Sequence, residues 1–161
     1  MAVGDFADLL QANARYAEQF DHAGFDGIAH EGIAVITCMD SRIEPLAMLG
    51  LKLGDAKILR TPGGRISNDA LIGCILGAHL LEVKRIMVVP HTRCAMATGD
   101  DAHIAARVYR ANGTDLRGMR LGASTDQPNA LRYDVDLLRT HPLLTGRVTV
   151  GGFLYNVDTG R

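Results

Sequence analysis

The chain has 161 residues, of which 47% are hydrophobic and 22% are charged. A chain this apolar is not intrinsically disordered, and its length suits one folded domain, which we place at residues 1–161. The 17 basic and 18 acidic side chains give a formal net charge of −1. General nucleic-acid binders and membrane-surface binders need a basic excess, so we expect neither kind of partner.

The cysteine count and the N-terminus bear on the compartment. Three cysteines cannot all pair, and this argues against a disulfide scaffold and favours a reducing environment. The first residues contain no basic segment followed by an apolar one, so we expect no secretory signal. No apolar run approaches the ~20 residues of a membrane span. We therefore predict a soluble protein of the cytoplasm.

In chain order, the hydrophobic pattern begins with a helix and continues with a strand. Apolar residues between Phe6 and Phe20 recur at steps of three and four, which predicts an amphipathic helix over 5–20. The stretch 21–31 is rich in Gly, Asp and His and is typical of a loop. Residues 33–37 form a continuous apolar run with β-branched side chains, as in a strand buried on both faces of a parallel sheet.

Two further strands flank a helix in the middle of the chain. The runs 56–59 and 86–89 are short, apolar and again favour strands. Between them, apolar residues at helical spacing predict a helix over 69–81, with Ser67 as its N-cap. A strand, a helix and a strand in about 35 residues form a βαβ unit, whose strands are parallel. Cys74 lies on the apolar face of this helix, where we expect it to pack in the core.

The C-terminal part of the chain has weaker patterns. We predict a helix over 103–110, a loop after it, and a second helix that Asp126 and Pro128 open. The chain closes with a strand in two parts, 148–150 and 153–155, separated by two glycines. The order of elements predicts a three-layer α/β domain with a mostly parallel central sheet and an antiparallel edge strand at the C-terminus.

Three residues of types that bind metals stand where strands end. Cys38 follows the first strand, and His91 and Cys94 follow the third. The carboxyl ends of parallel strands meet at one edge, so the three side chains converge if these strands are neighbours. Two thiolates and one imidazole leave the fourth tetrahedral position of Zn²⁺ open, which is the arrangement of a catalytic zinc site. We predict one Zn²⁺ per chain at this set.

Two charged residues close to Cys38 add to this prediction. Asp40 lies two residues beyond Cys38, and Arg42 lies four residues beyond it. A carboxylate beside a zinc-bound water accepts its hydrogen bond and orients it. An arginine holds that carboxylate in a bidentate fork and keeps it ionised. Such partners affect a metal site nearly as much as the ligands do.

These motifs resemble those of a known family. The segments 38–42 (CMDSR) and 91–94 (HTRC) look like the two signature motifs of the β-class carbonic anhydrases, and 60–64 (RTPGG) is similar to that family's RNAGG segment. The order of elements also agrees, so the resemblance extends over residues 5–157. It implies the family's α/β fold and a zinc enzyme that hydrates CO2 reversibly to bicarbonate and a proton. It also implies a homodimer or a dimer of dimers, in which helix 5–20 reaches across to the neighbouring subunit.

The resemblance implies a role for each matching side chain. Cys38, His91 and Cys94 would be the zinc ligands, and Asp40 and Arg42 would form the catalytic dyad. In some members of the family the aspartate binds zinc and displaces the water, which gives a closed, inactive site. Asp40 is therefore a conditional fourth ligand, and Arg42 decides its state.

The glycine segment is expected to shape the pocket, and several positions near it depart from the family's pattern. Gly63 and Gly64 would let the backbone approach the zinc pocket closely. The family usually has Gly after the second cysteine, where this chain has Ala95, and a positive φ there would strain alanine by about 1 kcal/mol. Arg93 stands where a small or acidic residue is common. The glycine segment itself differs at Thr61 and Pro62.

Other functions stay open. An enzyme with the same zinc hydroxide could hydrolyse carbonyl sulfide or carbon disulfide, and the altered residues Pro62 and Ala95 leave room for this. A zinc-binding or redox-sensing module without catalysis would instead oxidise Cys38 and Cys94 and release its metal. A nucleotide binder of flavodoxin type fits less well, because the glycine pair lacks the spacing of a phosphate-binding loop.

Overall fold

The structure is a computed structural model and describes residues 6–161. Its strands are β1 (Ile33–Cys38), β2 (Ala56–Thr61), β3 (Arg85–Val89) and β4 (Thr149–Gly152). Its helices are α1 (Ala7–Glu18), α2 (Asn68–Leu80), α3 (Asp101–Asn112) and α4 (Gln127–Thr140). The four strands form one sheet in the order β2-β1-β3-β4, and every pair is parallel. The predicted α/β fold with a central parallel sheet is therefore confirmed.

Strand β1 is the centre of the core. It lies between β2 and β3, and all six of its residues are buried. On one face of the sheet, Ile36 packs in a cluster with Leu138 of α4 and with residues of α2. On the other face, Val35 packs with Tyr155 and with the short helical turn Ala47–Leu49. Burial on both faces explains why the first strand is apolar along most of its length.

The helices begin where their capping residues stand. Ser67 caps α2 and Asp126 caps α4, as predicted, and each accepts a hydrogen bond from a backbone N–H three residues later. Helix α3 starts at Asp101, earlier than the predicted 103. The reason is that the carboxylate of Asp100 caps it by accepting a hydrogen bond from the His103 N–H at 2.8 Å.

The C-terminal strand differs from its prediction in two ways. It is parallel to β3 and not antiparallel, because α3 and α4 carry the chain back to the same end of the sheet before β4 begins. It also runs through both glycines, with Gly152 opposite Val88, and ends before Phe153. The absence of a side chain lets α4 pack closely here: a Cβ on Gly152 would lie 2.8 Å from Val135 Cγ2.

Helix α1 has exposed apolar side chains. Helix α1 occupies the middle of the predicted segment 5–20, of which Asp5 lies outside the described residues. None of its residues is buried against the described chain, and Leu9 and Leu10 are 61% and 55% exposed. In the described part of the chain, no helix is both long enough and apolar enough to cross a membrane.

Candidate metal centre

The carboxyl ends of β1 and β3 bring three potential metal ligands together. β1 ends at Cys38, and the chain beyond its neighbour β3 passes through Pro90 to His91 and Cys94. The two sulfur atoms and a ring nitrogen of His91 lie within 4.8 Å of one another, and all three residues are buried. The side chains converge because β1 and β3 are paired in the sheet.

A backbone hydrogen bond determines which nitrogen of His91 is available. Its Nδ1 lies 2.8 Å from the carbonyl oxygen of Thr92, which can only accept, so Nδ1 carries the proton. Nε2 therefore has a free lone pair. Among the described residues, this atom is a buried side-chain nitrogen without a hydrogen-bond partner. An unpaired buried polar atom costs about 1–3 kcal/mol, so its place beside two sulfur atoms fits a nitrogen that binds metal.

The two cysteines of the cluster favour an ionised sulfur. The neighbouring Cys94 thiol stabilises the ionised form of Cys38, so the pKa of Cys38 is lowered and the pKa of Cys94 is raised. Burial opposes ionisation of Cys38, whereas the backbone N–H groups of Asp40 and Gly63 favour it. An ionised thiol is the form that binds zinc. Cys74 differs, because it lies on α2 and packs in the core, where burial raises its pKa to about 12.

Asp40 lies beside the cluster, and Arg42 holds it there. Arg42 Nε donates to Asp40 Oδ1 at 2.9 Å, Nη2 donates to Oδ2 at 2.8 Å, and the backbone N–H of Arg42 donates as well. These bonds hold the pKa of the Asp40 carboxyl well below its usual range. Asp40 Oδ2 lies 3.7 Å from His91 Nε2. An ionised carboxylate therefore stands next to the cluster, with both oxygens engaged by a guanidinium.

The glycine turn, residues 61–65, lies against the end of β1. Gly63 and Gly64 have φ values of +71° and +68°, and a Cβ on Gly64 would lie 3.3 Å from the backbone nitrogen of Cys38. Conformation and space both exclude a side chain on Gly64. Thr61 Oγ1 donates to the carbonyl oxygen of Arg65 at 2.7 Å, which closes the turn.

Two of the departures from the family's pattern have a structural explanation. Ala95 begins the 3₁₀ turn Ala95–Ala97 and has no positive φ, so the strain considered for alanine does not arise. The positive φ falls instead on Arg93, at +56°. The Arg93 guanidinium is exposed and pairs with Asp158 at 2.6 Å. The backbone carbonyl oxygen of Arg93 accepts a hydrogen bond from Arg42 Nη2 at 3.3 Å.

The sequence did not identify three residues that lie next to the site. Gln127 Nε2 donates to the backbone carbonyl of His91 at 2.8 Å. Arg65 pairs with Asp134, which is buried in α4. An acidic residue next to Val135, on the apolar face of α4, was the available signal for Asp134. Its partner could not be identified, because Arg65 is 69 positions away in the chain.

Fold and cluster together define the class of protein. It is an α/β protein with two cysteines and one histidine at the carboxyl edge of a parallel sheet, and this is a donor set for zinc. The carbonic anhydrase family model matches residues 33–161 of the chain. The chain therefore belongs to the carbonic anhydrase family, and its relatives assign it to the β class.

Individual relatives agree with this assignment. Beta-carbonic anhydrase 1 of Mycobacterium tuberculosis is 28% identical, and the alignment covers 96% of this chain and 93% of that protein. A carbon disulfide hydrolase of Saccharolobus solfataricus is also 28% identical, over 78% of this chain and 72% of that protein. A carbonic anhydrase structure from Streptococcus mutans has a TM-score of 0.88 at 32% identity, and the match covers 100% of this chain and 97% of that chain.

Proposed function

We propose that the protein hydrates CO2 reversibly to bicarbonate and a proton, with one zinc ion held by Cys38, His91 and Cys94. The observation that carries this proposal is the buried Nε2 of His91, which has no partner within the described chain and lies within 4.8 Å of both sulfur atoms. Zinc bound there supplies Lewis acidity, which lowers the pKa of water and makes a nucleophile available near neutral pH.

Asp40 and Arg42 form the proposed catalytic dyad. Asp40 Oδ2 lies beside the ligand atoms, where it accepts a hydrogen bond from the attacking water and orients its lone pair toward the carbon of CO2. Arg42 keeps the carboxylate ionised and fixes its direction with two side-chain hydrogen bonds. The same bonds occupy both Asp40 oxygens, so while they last the carboxylate would not be available as a ligand. Release of the fork would free Asp40 to become a fourth ligand, so Arg42 selects between an open and a closed site.

The glycines complete the proposed pocket. Without side chains, Gly63 and Gly64 let the backbone approach the end of β1 closely, and this leaves space for a small linear substrate. The Gly63 N–H also supports the ionised form of the Cys38 sulfur.

We also propose that the protein is a homodimer or a dimer of dimers in the cytoplasm. Support for self-association comes from α1, whose apolar side chains are exposed in the single chain, including Leu9 at 61% and Leu10 at 55%. Exposed apolar patches of this kind mark interaction surfaces. In this arrangement α1 packs as an arm on the neighbouring subunit. Support for the cytoplasm comes from three cysteines that are all free.

Hydrolysis of carbon disulfide or carbonyl sulfide is the second candidate. The carbon disulfide hydrolase of S. solfataricus has the same 28% identity to this chain as the M. tuberculosis carbonic anhydrase, over 78% of the chain instead of 96%. Both substrates resemble CO2, because each is linear with an electrophilic central carbon. Comparison of initial rates with CO2, carbonyl sulfide and carbon disulfide on one zinc-loaded preparation separates the two candidates.

The test of the main proposal is stopped-flow CO2 hydration by the zinc-loaded protein at mildly alkaline pH. We expect a rate far above that of buffer, and we expect Cys38→Ser to abolish it. Cys74→Ser is the matched control, because it replaces a buried cysteine that lies in the core away from the cluster. A zinc-loaded wild type without hydration activity would refute the proposal. Release of zinc by peroxide in such a protein would favour the redox-sensing alternative.

A further inference from the structure

A partly buried ion pair lies behind the glycine turn: the Asp134 side chain is 3% exposed and the Arg65 side chain 25%. Arg65, the last residue of the turn, donates from Nε and Nη2 to the two carboxylate oxygens of Asp134, at 2.6 and 3.1 Å. Asp134 is only 2% exposed, and it also accepts a hydrogen bond from the Ile66 N–H at 3.3 Å. The remaining guanidinium nitrogen, Nη1, donates to the carbonyl of Gly122 at 2.9 Å. Arg65 is therefore fixed by α4 and by the loop before α4.

Stability alone does not account for this pair. Removing two charges from water costs several kcal/mol per ion, and apolar residues of similar volume often replace a buried ion pair at no loss of stability. The same side of α4 already accommodates apolar side chains, since Val135 and Leu138 lie in the core cluster that also contains residues of β1 and α2. An ion pair does fix the orientation of its two side chains, because a bidentate fork restricts both partners more strictly than apolar contact does.

The glycine turn connects the ion pair of Arg65 and Asp134 to the metal cluster. The turn contacts Cys38 through its backbone: a Cβ on Gly64 would lie 3.3 Å from the Cys38 nitrogen. The Met39 N–H donates to the carbonyl of Thr61 at 3.1 Å, which ties the start of the turn to the residue after Cys38. A displacement of the turn would therefore move the backbone on both sides of Cys38, from which the sulfur of a potential metal ligand projects.

We propose that Arg65 and Asp134 are positioning residues of the metal centre: their ion pair holds the glycine turn against Cys38 and so fixes the backbone from which its sulfur projects. This inference rests on the proposed metal site. It assigns a role in metal binding to two side chains that do not touch the metal. Loss of a partner that orients a ligand typically lowers metal affinity by about 10- to 100-fold, and we expect a loss of that size when this ion pair is broken.

The test compares Asp134→Asn with Val135→Ala. The first removes the charge of Asp134 and nearly preserves its shape. The second is the matched control, because it weakens core packing one residue further along α4 without touching Arg65. Each variant is loaded with cobalt(II), whose sulfur-to-metal charge-transfer band reports on the thiolates. Zinc affinity is measured by competition with a chelator, and urea unfolding reports stability.

We expect Asp134→Asn to lower zinc affinity by about 10- to 100-fold and to shift the cobalt band. Val135→Ala should lower the urea midpoint but leave zinc affinity and the cobalt band at wild-type values. Arg65→Lys keeps the positive charge but loses the bidentate fork, so we expect smaller changes of the same kind in zinc affinity and in the cobalt band. This variant replaces Asp134→Asn in the test if Asp134→Asn does not fold.

Three outcomes separate the alternatives. Wild-type zinc affinity and an unshifted band in the Asp134 and Arg65 variants would overturn the inference, and so would an equal change in Val135→Ala. A wild type that binds cobalt normally but does not hydrate CO2 would refute the proposed function and leave the positioning role standing on its own readouts. A wild type that binds neither cobalt nor zinc would overturn both.

Discussion

The carboxylate of Asp40 is bound through both oxygens by the guanidinium of Arg42, at 2.9 and 2.8 Å, and its Oδ2 stands 3.7 Å from His91 Nε2. The same local arrangement occurs elsewhere in the chain: Arg117 binds both oxygens of Asp115, at 2.9 and 2.6 Å, on the surface. In both pairs the arginine follows the aspartate by two residues. What distinguishes them is the environment, because only the first pair lies beside a cluster of potential metal ligands.

This likeness provides the first prediction and its control. We expect Arg42→Lys to lower the CO2 hydration rate by about 10- to 100-fold, because lysine keeps the charge but cannot form the fork that aims Asp40. Zinc content, measured by atomic emission, should stay at one ion per chain. Arg117→Lys makes the same substitution in the surface pair and should keep the wild-type rate. Equal rates in the two variants would contradict a catalytic role for the fork.

The glycine turn leads to the second prediction. Gly64→Ala places a side chain at φ +68° and within 3.3 Å of two backbone segments, so it meets both a conformational and a steric cost. Gly50 has a similar φ of +66° with nothing within 4 Å of its Cβ position, so Gly50→Ala meets only the conformational cost. We expect urea unfolding to show a loss of about 1 kcal/mol for Gly50→Ala and a larger loss for Gly64→Ala. Similar losses in both would mean that the close approach to Cys38 is unimportant.

The buried thiol of Cys74 gives a prediction on pH. Its pKa is raised from 9.0 to about 12 by burial, so between these values the unfolded chain loses a proton that the folded chain keeps. The unfolded state then binds fewer protons, and the free energy of unfolding falls as pH rises from about 9 toward 12. Cys74→Ala removes this contribution. The stability difference between wild type and variant should therefore narrow with rising pH in urea titrations, and a constant difference would contradict it.

The exposed face of α1 gives a prediction on assembly. A double variant, Leu9→Glu with Leu10→Glu, introduces charge where we place the contact with a second subunit. We expect it to lower the molar mass measured by light scattering to that of a smaller assembly or a monomer. Gln11→Glu adds charge to the same helix without removing an apolar side chain, and it should keep the wild-type mass. A double variant that retains the wild-type mass would show that α1 is not the arm.

Patterns that are local in the chain were predictable. Strand β1 was identified from its apolar, β-branched run, and the starts of α2 and α4 from their capping residues, because burial on both faces and capping each require particular residue types nearby in sequence. The direction of the C-terminal strand was not predictable in this way. It depends on the end of the sheet to which α4 returns the chain, and packing across the whole domain decides this.

The features of the candidate site also fall into those that local sequence predicts and those that depend on tertiary packing. By itself the sequence determined the residue types of the cluster, the fork between Asp40 and Arg42, and the family, since all of these depend on short spacings. Only the tertiary structure decided which His91 nitrogen is free, that Arg93 and not Ala95 takes the positive φ, and that Arg65 meets Asp134. The physical reason is that each feature depends on segments distant in sequence. Arg65 and Asp134 are 69 positions apart, and the loop that contains His91 and Arg93 is held in place by the hydrogen bond from the Thr92 N–H to the Tyr155 carbonyl, which forms only after the strands and helices have packed.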